Sequence, residues 1–218
     1  MKYTDIKNDL EVVAMIKKAD ANLNCLGYTD HSFGHVCLVA ERAAYILKEL
    51  GYSEEDQELV KIAAYMHDIG NLINRKAHAE YGGLLANEIL KRYDISIEDR
   101  LRVVSAISNH DESSGGAIDH ISAALIIADK TDVRRNRVKQ KPKAAFDIHD
   151  RVNYAVTSSE LEIDNEKKRI ILKLEIDEDI TSMYEYFDIF LGRMMMSKKA
   201  SELLEMKFKL IVNDNKVL

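Results

Sequence analysis

Apolar residues recur every three to four positions through most of the first 140 residues, and that period commits the chain to packed helices. "DLEVVAMIKKADANLNCLG" starts at a capping Asp9 and stops at Gly27. "HSFGHVCLVAERAAYILKELG" repeats the pattern from Ser32 to Gly51. Ser53 opens "SEEDQELVKIAAYMHDIG", whose first turn is acidic, where the helix dipole favours negative charge. "AHAEYGGLLANEILKRY", "SIEDRLRVVSAISNHD" and "AIDHISAALIIADKTDVRRNRV" continue the series. The connections are short, so neighbouring helices are expected to pack antiparallel or steeply crossed.

The texture changes after Pro142, the only proline. "KAAFDIHDRVNYAV" reads as a further helix, and "SSELEIDNEKKRIILKLEID" alternates on both sides of "DNEKK", the pattern of a β-hairpin. A long helix is predicted from Asp179 to Leu204, and "KFKLIVND" closes as a strand. The expected fold is mainly α: a helical bundle over residues 1–157 and a small α+β appendage over 158–218, made of a β-hairpin, a long helix and a strand. Such a short appendage buries too little surface to stand alone. It is expected to dock on the bundle or to form a homodimer contact.

The formal net charge of -6 argues against nucleic acid and anionic membrane as partners. Two cysteines, Cys25 and Cys37, have no metal-type spacing, so the expectation is a reducing cytoplasm without a disulfide framework. No apolar run approaches the ~18 residues that would cross a bilayer.

The stretch "AAYMHDIGN" sets His67 beside Asp68 at the end of an apolar helix, where packing alone would choose Leu or Ala. His35 lies near the start of the second helix, His78 opens the fourth, His110 is near the end of the fifth, and Asp129 follows "AALIIA" in the sixth. Helix ends alternate between two rims of a bundle, so His67, Asp68 and His78 are expected to meet across "IGNLINRKA". A lone histidine is more often a surface or hydrogen-bonded residue than a ligand, and the dyad alone also reads as a helix-terminal polar pair. Asp129 is more constrained. A carboxylate in apolar surroundings costs several kcal/mol unless it is paired with Arg or Lys or holds a cation.

The ordered set "GHVCLVAERA", "AAYMHDIGN", "AHAEYGG", "AISNHDE" and "IIADKTD" resembles the HD-domain superfamily of metal-dependent phosphohydrolases, over roughly residues 30 to 140. The resemblance implies that His35, His67, Asp68 and Asp129 hold one metal, that His78 and His110 hold a second, and that Asp68 bridges the two. His67 and Asp68 would be the catalytic dyad. Imidazole and carboxylate together suit iron, manganese, cobalt, nickel or zinc, with magnesium less favoured. Two such cations ~3.5–4 Å apart can lower the pKa of a shared water and neutralise phosphate oxygens. The implied function is hydrolysis of a nucleotide or other small phosphate ester or anhydride by metal-activated water. The alternative is a non-catalytic nucleotide-binding sensor or regulatory module on the same scaffold.

"DKTDVRRNRVKQKPK" concentrates cations in an acidic chain. Most of them read as a solvated face and tail. Lys130 and Arg134, four apart, are expected to share a helical face and hold phosphate, with Arg137 extending the patch. Asn71 and Arg75 are placed beside the metals as further phosphate contacts. His31 is expected to support the ligands or face the substrate, with a plain helix-start polar residue as the commoner reading, and Asp111 and Glu112 to support the ligands or act as acids, with a cap of the next helix as the plain alternative. His120 reads as a surface residue, and His149 lies outside the resemblance. No aromatic residues interleave with the basic ones, which weakens a nucleic-acid reading.

The pattern also departs from named branches of the superfamily. Cyclic-dinucleotide phosphodiesterases carry Lys where Asn71 stands, a first His where Asn109 stands, and a Gly-Tyr-Pro signature that "SSGGAI" lacks. Alarmone hydrolases place a Glu-Asp pair after the dyad, which "IGNLINR" lacks. "HAEYGG…AISNHDE…IIADKTDVRRNR" is partly similar to small HD hydrolases of dinucleoside polyphosphates.

Overall fold

The computed structural model describes residues 1–138 and 146–218; Lys139, Lys141, Pro142 and Lys143, and with them the expected start of the following helix, lie outside the described residues. The bundle consists of α1 (Tyr3–Lys7), α2 (Leu10–Cys25), α3 (Phe33–Glu49), α4 (Glu54–Met66), α5 (His78–Leu90), α6 (Ile97–Ser108), α7 (His120–Lys130) and α8 (Ile148–Ala155). The start signals act as the sequence suggests. The Asp9 carboxylate accepts hydrogen bonds from the backbone of Glu11 and Val12, and Ser53 Oγ accepts one from Asp56. Removing one such cap typically costs about 1 kcal/mol. The five-residue α1 is too short to show a period and was not expected.

Helix α7 runs through the centre. Every residue from Ile121 to Ala128 is fully buried, against α3, α4, α6 and the later α9 (Met183–Leu203). A helix that is apolar on all sides belongs in the interior. Asp129 and Lys130 therefore emerge from hydrocarbon at its C-terminal end.

The dyad is held against α5 by a close backbone contact. Residues Ile69–Leu72 form a 3-10 turn whose Gly70 has no room for a side chain. A Cβ there would lie 1.9 Å from the His78 carbonyl oxygen and 2.5 Å from the Gly82 nitrogen. The Asn22 amide, on α2, donates to the carbonyls of Asn71 and Leu72 at 3.3 and 3.0 Å, fixing the turn from its other side.

The chain then forms one sheet with strand order β1 (Val156–Asp164), β2 (Arg169–Ile176), β3 (Lys207–Val212), β4 (Asn215–Lys216). β1 and β2 are the expected antiparallel hairpin; β3 lies parallel to β2, with α9 as the crossover, and turns back into β4. The α+β segment docks on the bundle. Tyr186, Phe190 and Met194 of α9 join the same core as α7. On the other side Arg42 of α3 donates to the carbonyls of Thr131 and Ser159 at 2.8 and 2.7 Å, tying β1 to the end of α7. Among the described residues no helix is long and apolar enough to cross a membrane.

Candidate metal centre

Three helix ends and two helix starts converge at the dyad. His67 is the C-terminal cap of α4 and Asp68 the next residue. His35 lies in the first turn of α3, His78 begins α5, His110 follows the end of α6, and Asp129 is in the last turn of α7. The Nε2 atoms of His35 and His67 are 3.3 Å apart, and those of His78 and His110 are 3.2 Å apart. Asp68 lies between the two pairs. Its Oδ2 is 3.2 Å from His67 Nε2 and 3.7 Å from His35 Nε2, while its Oδ1 is 3.7 Å from His78 Nε2. Asp129 Oδ1 completes the first group, 3.3 Å from His35 and 3.7 Å from His67.

Each imidazole is oriented from behind through Nδ1. His67 donates to the Ala64 carbonyl at 2.7 Å, His110 to Ile107 at 2.6 Å and His78 to Arg75 at 3.0 Å. His35 donates to Asp132 Oδ2 at 2.7 Å. Each ring thus turns its Nε2 inward, as a lone pair where the ring is neutral. The lone pairs of His78 and His110, facing each other at 3.2 Å, gain nothing from one another. They suit a cation placed between them.

Two further observations fit a divalent metal. Asp68 Oδ2 is buried and has no hydrogen-bond partner, although burying an unsatisfied carboxylate oxygen is costly. Without a cation the group also holds charge that a metal would replace. Burial pushes His67 down, but the Asp68 and Asp129 carboxylates outweigh it and raise this imidazole to about 10. Burial also opposes ionisation of Asp68, yet the His67 charge holds it well below the usual carboxylate range. His110, by contrast, is driven down to about 3, first by burial and then by His67 and Lys130. The sets His35–His67–Asp129 and His67–Asp68–His110 each bring one ligand atom per residue within 4.8 Å of the others.

The surrounding residues have different work from that expected. The helix ends at Lys130, and Arg134 sits in extended backbone, so these two do not share a helical face. Lys130 is buried and spends its charge on Asp129 (2.8 Å) and Glu112 (2.6 Å). Arg134 grips the Asp132 carboxylate through Nε and Nη2. Arg137 is buried, donating from Nε and Nη2 to the Asp30 carbonyl and from Nη1 to the Asp132 carbonyl. The expected shared helical face is therefore corrected, and Arg134 and Arg137 hold the loop after α7. Asn71 is also turned inward, its amide donating to Asp68 Oδ1 at 2.9 Å, so it orients the dyad.

Asp111 Oδ1 lies 3.9 Å from His78 Nε2, and its Oδ2 accepts from Ser113. His31 is buried, donates from Nδ1 to Thr29, and sets its ring 5.5 Å from that of His35. His120 is not a free surface residue: it stacks on Tyr52 and lies 3.2 Å from the Asp56 carboxylate. Of the expected phosphate ligands, Arg75 faces the space beside the ligand His78. It lines a cleft of about 420 Å³ with His31, Tyr28, Glu112, Phe190 and Arg193. Sequence reasoning missed Asp132, the buried partner of His35. Its only signal was an acid among arginines in "TDVRRNR".

The HD-domain family profile matches residues 32–152, a span that includes His149. His149 therefore lies inside the matched span, not beyond it. An uncharacterised protein of Methanocaldococcus jannaschii is 30% identical over 173 residues, which cover 68% of this chain and 66% of that protein. A crystal structure of a predicted HD superfamily hydrolase from an uncultured Thermotogales bacterium is 22% identical, with a TM-score of 0.46 over 62% of this chain and 75% of that one. With more than half of its length matched by the profile, and the dyad at the point where the helix ends meet, the chain belongs to the HD-domain family.

Proposed function

We propose that this protein is a metal-dependent phosphohydrolase acting on a nucleotide or another small phosphate ester or anhydride. The observation that carries the reading is the Asp68 carboxylate, which offers one oxygen to the His35–His67 pair and the other to His78. His35, His67, Asp68 and Asp129 would hold one divalent ion, and Asp68, His78 and His110 a second. Iron, manganese, cobalt, nickel and zinc suit this mixture of nitrogen and oxygen donors. Such ions would lower the pKa of a water and neutralise phosphate oxygens as charge moves to the leaving group.

The chain's own residues prepare that chemistry. The Nδ1 contacts of the four histidines fix which nitrogen each ring turns inward before any ligand arrives. Asn71 holds one oxygen of Asp68, which keeps the carboxylate turned between the two groups. Lys130 balances Asp129 and Glu112 from within the protein, so it does not compete for the phosphate. Arg75 remains at the cleft wall, 3.4 Å from His78 Nε2 and with its guanidinium over the Tyr28 ring.

The test is hydrolysis of a generic aryl phosphate ester by manganese-loaded protein, with Asp68→Ala as control and metal content measured on both. The reading requires activity in the wild type and its loss, with loss of metal, in the variant. Equal activity in both would remove it.

A further inference from the structure

The cleft beside the metal centre has a wall that the HD-matched segment does not supply. Arg75 and His31 come from loops of the bundle, but Phe190 and Arg193 come from α9, beyond residue 152. Arg193 is anchored on this wall. Its guanidinium carbon lies 4.8 Å from the centre of the Phe190 ring, a cation–π contact. A Glu112 carboxylate oxygen is 3.6 Å away, and Glu112 is paired more closely with Lys130 at 2.6 Å. Arg75, on the bundle side, touches Asn71 Oδ1 and His78 Nε2, both neutral, and makes no ion pair among the described residues. Two guanidinium groups, Arg75 without an ion pair among the described residues and Arg193 in a 3.6 Å pair with Glu112, thus line one cleft, together with Asp147 and Asp150.

Their distance from the metal group differs. Arg75 contacts a ligand, His78, directly. Arg193 is separated from the ligand Asp129 by a relay of two other charged side chains, Glu112 and Lys130. A phosphate seated on the metals would meet Arg75 first. A guanidinium set further out suits a second anion on the same molecule, since Arg presents a planar fork that matches phosphate oxygens.

We propose that Arg193 is a specificity-determining residue that binds a second phosphate of the substrate, so that the cleft selects molecules carrying two linked phosphates, such as nucleoside diphosphates or other phosphoanhydrides, over monophosphates. This inference rests on the phosphohydrolase reading for the seat of the first phosphate. Binding brings the second phosphate to Arg193 and draws the guanidinium away from Glu112, which stays with Lys130. The C-terminal appendage is in this way a wall of the substrate cleft as well as a packing partner.

The experiment is calorimetric titration of the metal-loaded full chain with inorganic phosphate and with pyrophosphate, with metal content measured on the recovered protein. The wild type is expected to bind pyrophosphate about tenfold more tightly, as one added charge-assisted contact allows. Arg193→Gln is expected to lose that advantage while phosphate affinity stays within about twofold. Glu112→Gln, which removes the competing carboxylate, is expected to tighten pyrophosphate binding. The inference is overturned if the wild type does not prefer pyrophosphate, if Arg193→Gln weakens both ligands equally, or if it weakens neither. Since the readout is binding, an inactive protein that still shows the pattern would remove the hydrolase reading and leave the role of Arg193 intact.

Discussion

Asp132 and His35, 97 residues apart, meet in a buried 2.7 Å contact that sets which nitrogen of His35 faces the metal group. Burial opposes the charge on Asp132, but the hydrogen bond from His35 and the nearby Arg137 hold the carboxyl well below the usual range. It is therefore ionised and makes the imidazole a stronger donor. Such carboxylate–histidine partners typically govern metal affinity by 10–100-fold. Asp132→Asn keeps the shape and removes the charge, so metal affinity is expected to fall by about tenfold or more. Competition against a chelator of known affinity measures it. Unchanged affinity would reduce Asp132 to a clamp for Arg134 and Arg137.

The two histidine pairs predict a stoichiometry. His78 and His110 face each other, and His78 lies on the Asp68 Oδ1 side. Removing one should empty that half and spare the other. Elemental analysis is expected to give two ions per chain for the wild type and one for His110→Ala. One ion in both would leave His78 and His110 as contacts for substrate.

Gly70 links stability to the metal group. An added methyl would run into the backbone of His78 and Gly82, neither of which is a flexible side-chain tip. Gly70→Ala must then part the dyad turn from α5, at a cost of about 1–3 kcal/mol by analogy with overpacked cores. Thermal unfolding should show a lower Tm, and chelator competition should show weaker metal binding, because Asp68 and His78 move apart together. Loss of Tm with intact metal affinity would contradict this coupling.

The elements with local causes were legible in the sequence. Asp9, Ser53 and the apolar period announce α2 and α4, and the apolar run of "ISAALIIA" announces a buried helix whose exit must place Asp129 in costly surroundings. The dyad and its partners were legible through family resemblance, since no spacing rule brings residues 35, 67, 78, 110 and 129 to one point. What depends on non-local pairing was not legible. Nothing in "KFKLIVND" says that it runs parallel to β2, because register is set by the partner strand and the crossover helix. The shared face of Lys130 and Arg134 fails for a related reason. Their spacing of four assumes that the helix continues past Lys130, whereas the chain turns at Thr131 and folds Arg134 and Arg137 back on Asp132.

The last prediction concerns protons. In metal-free protein, burial disfavours a charged His67, yet Asp68 and Asp129 raise it to about 10, so it holds an extra proton at neutral pH. A cation bound at Nε2 must displace that proton. Metal uptake at pH 7 to 8 is therefore expected to release about one proton, with affinity rising about tenfold per pH unit below about 10. The sign for folding is the reverse. A group raised from an unfolded value near ~6.5 contributes stability that is fully present below that pH and is lost as pH climbs through about 10. Chelated protein should thus lose Tm between pH 7 and 10, while loaded protein, with no proton at His67, should not lose it through this group. Calorimetric titration in buffers of different ionisation enthalpy measures the released proton, and paired melts with and without chelator measure the second effect. Metal uptake with no proton release at pH 7 would mean that His67 is already neutral, and that the carboxylates leave their charge for the cation alone.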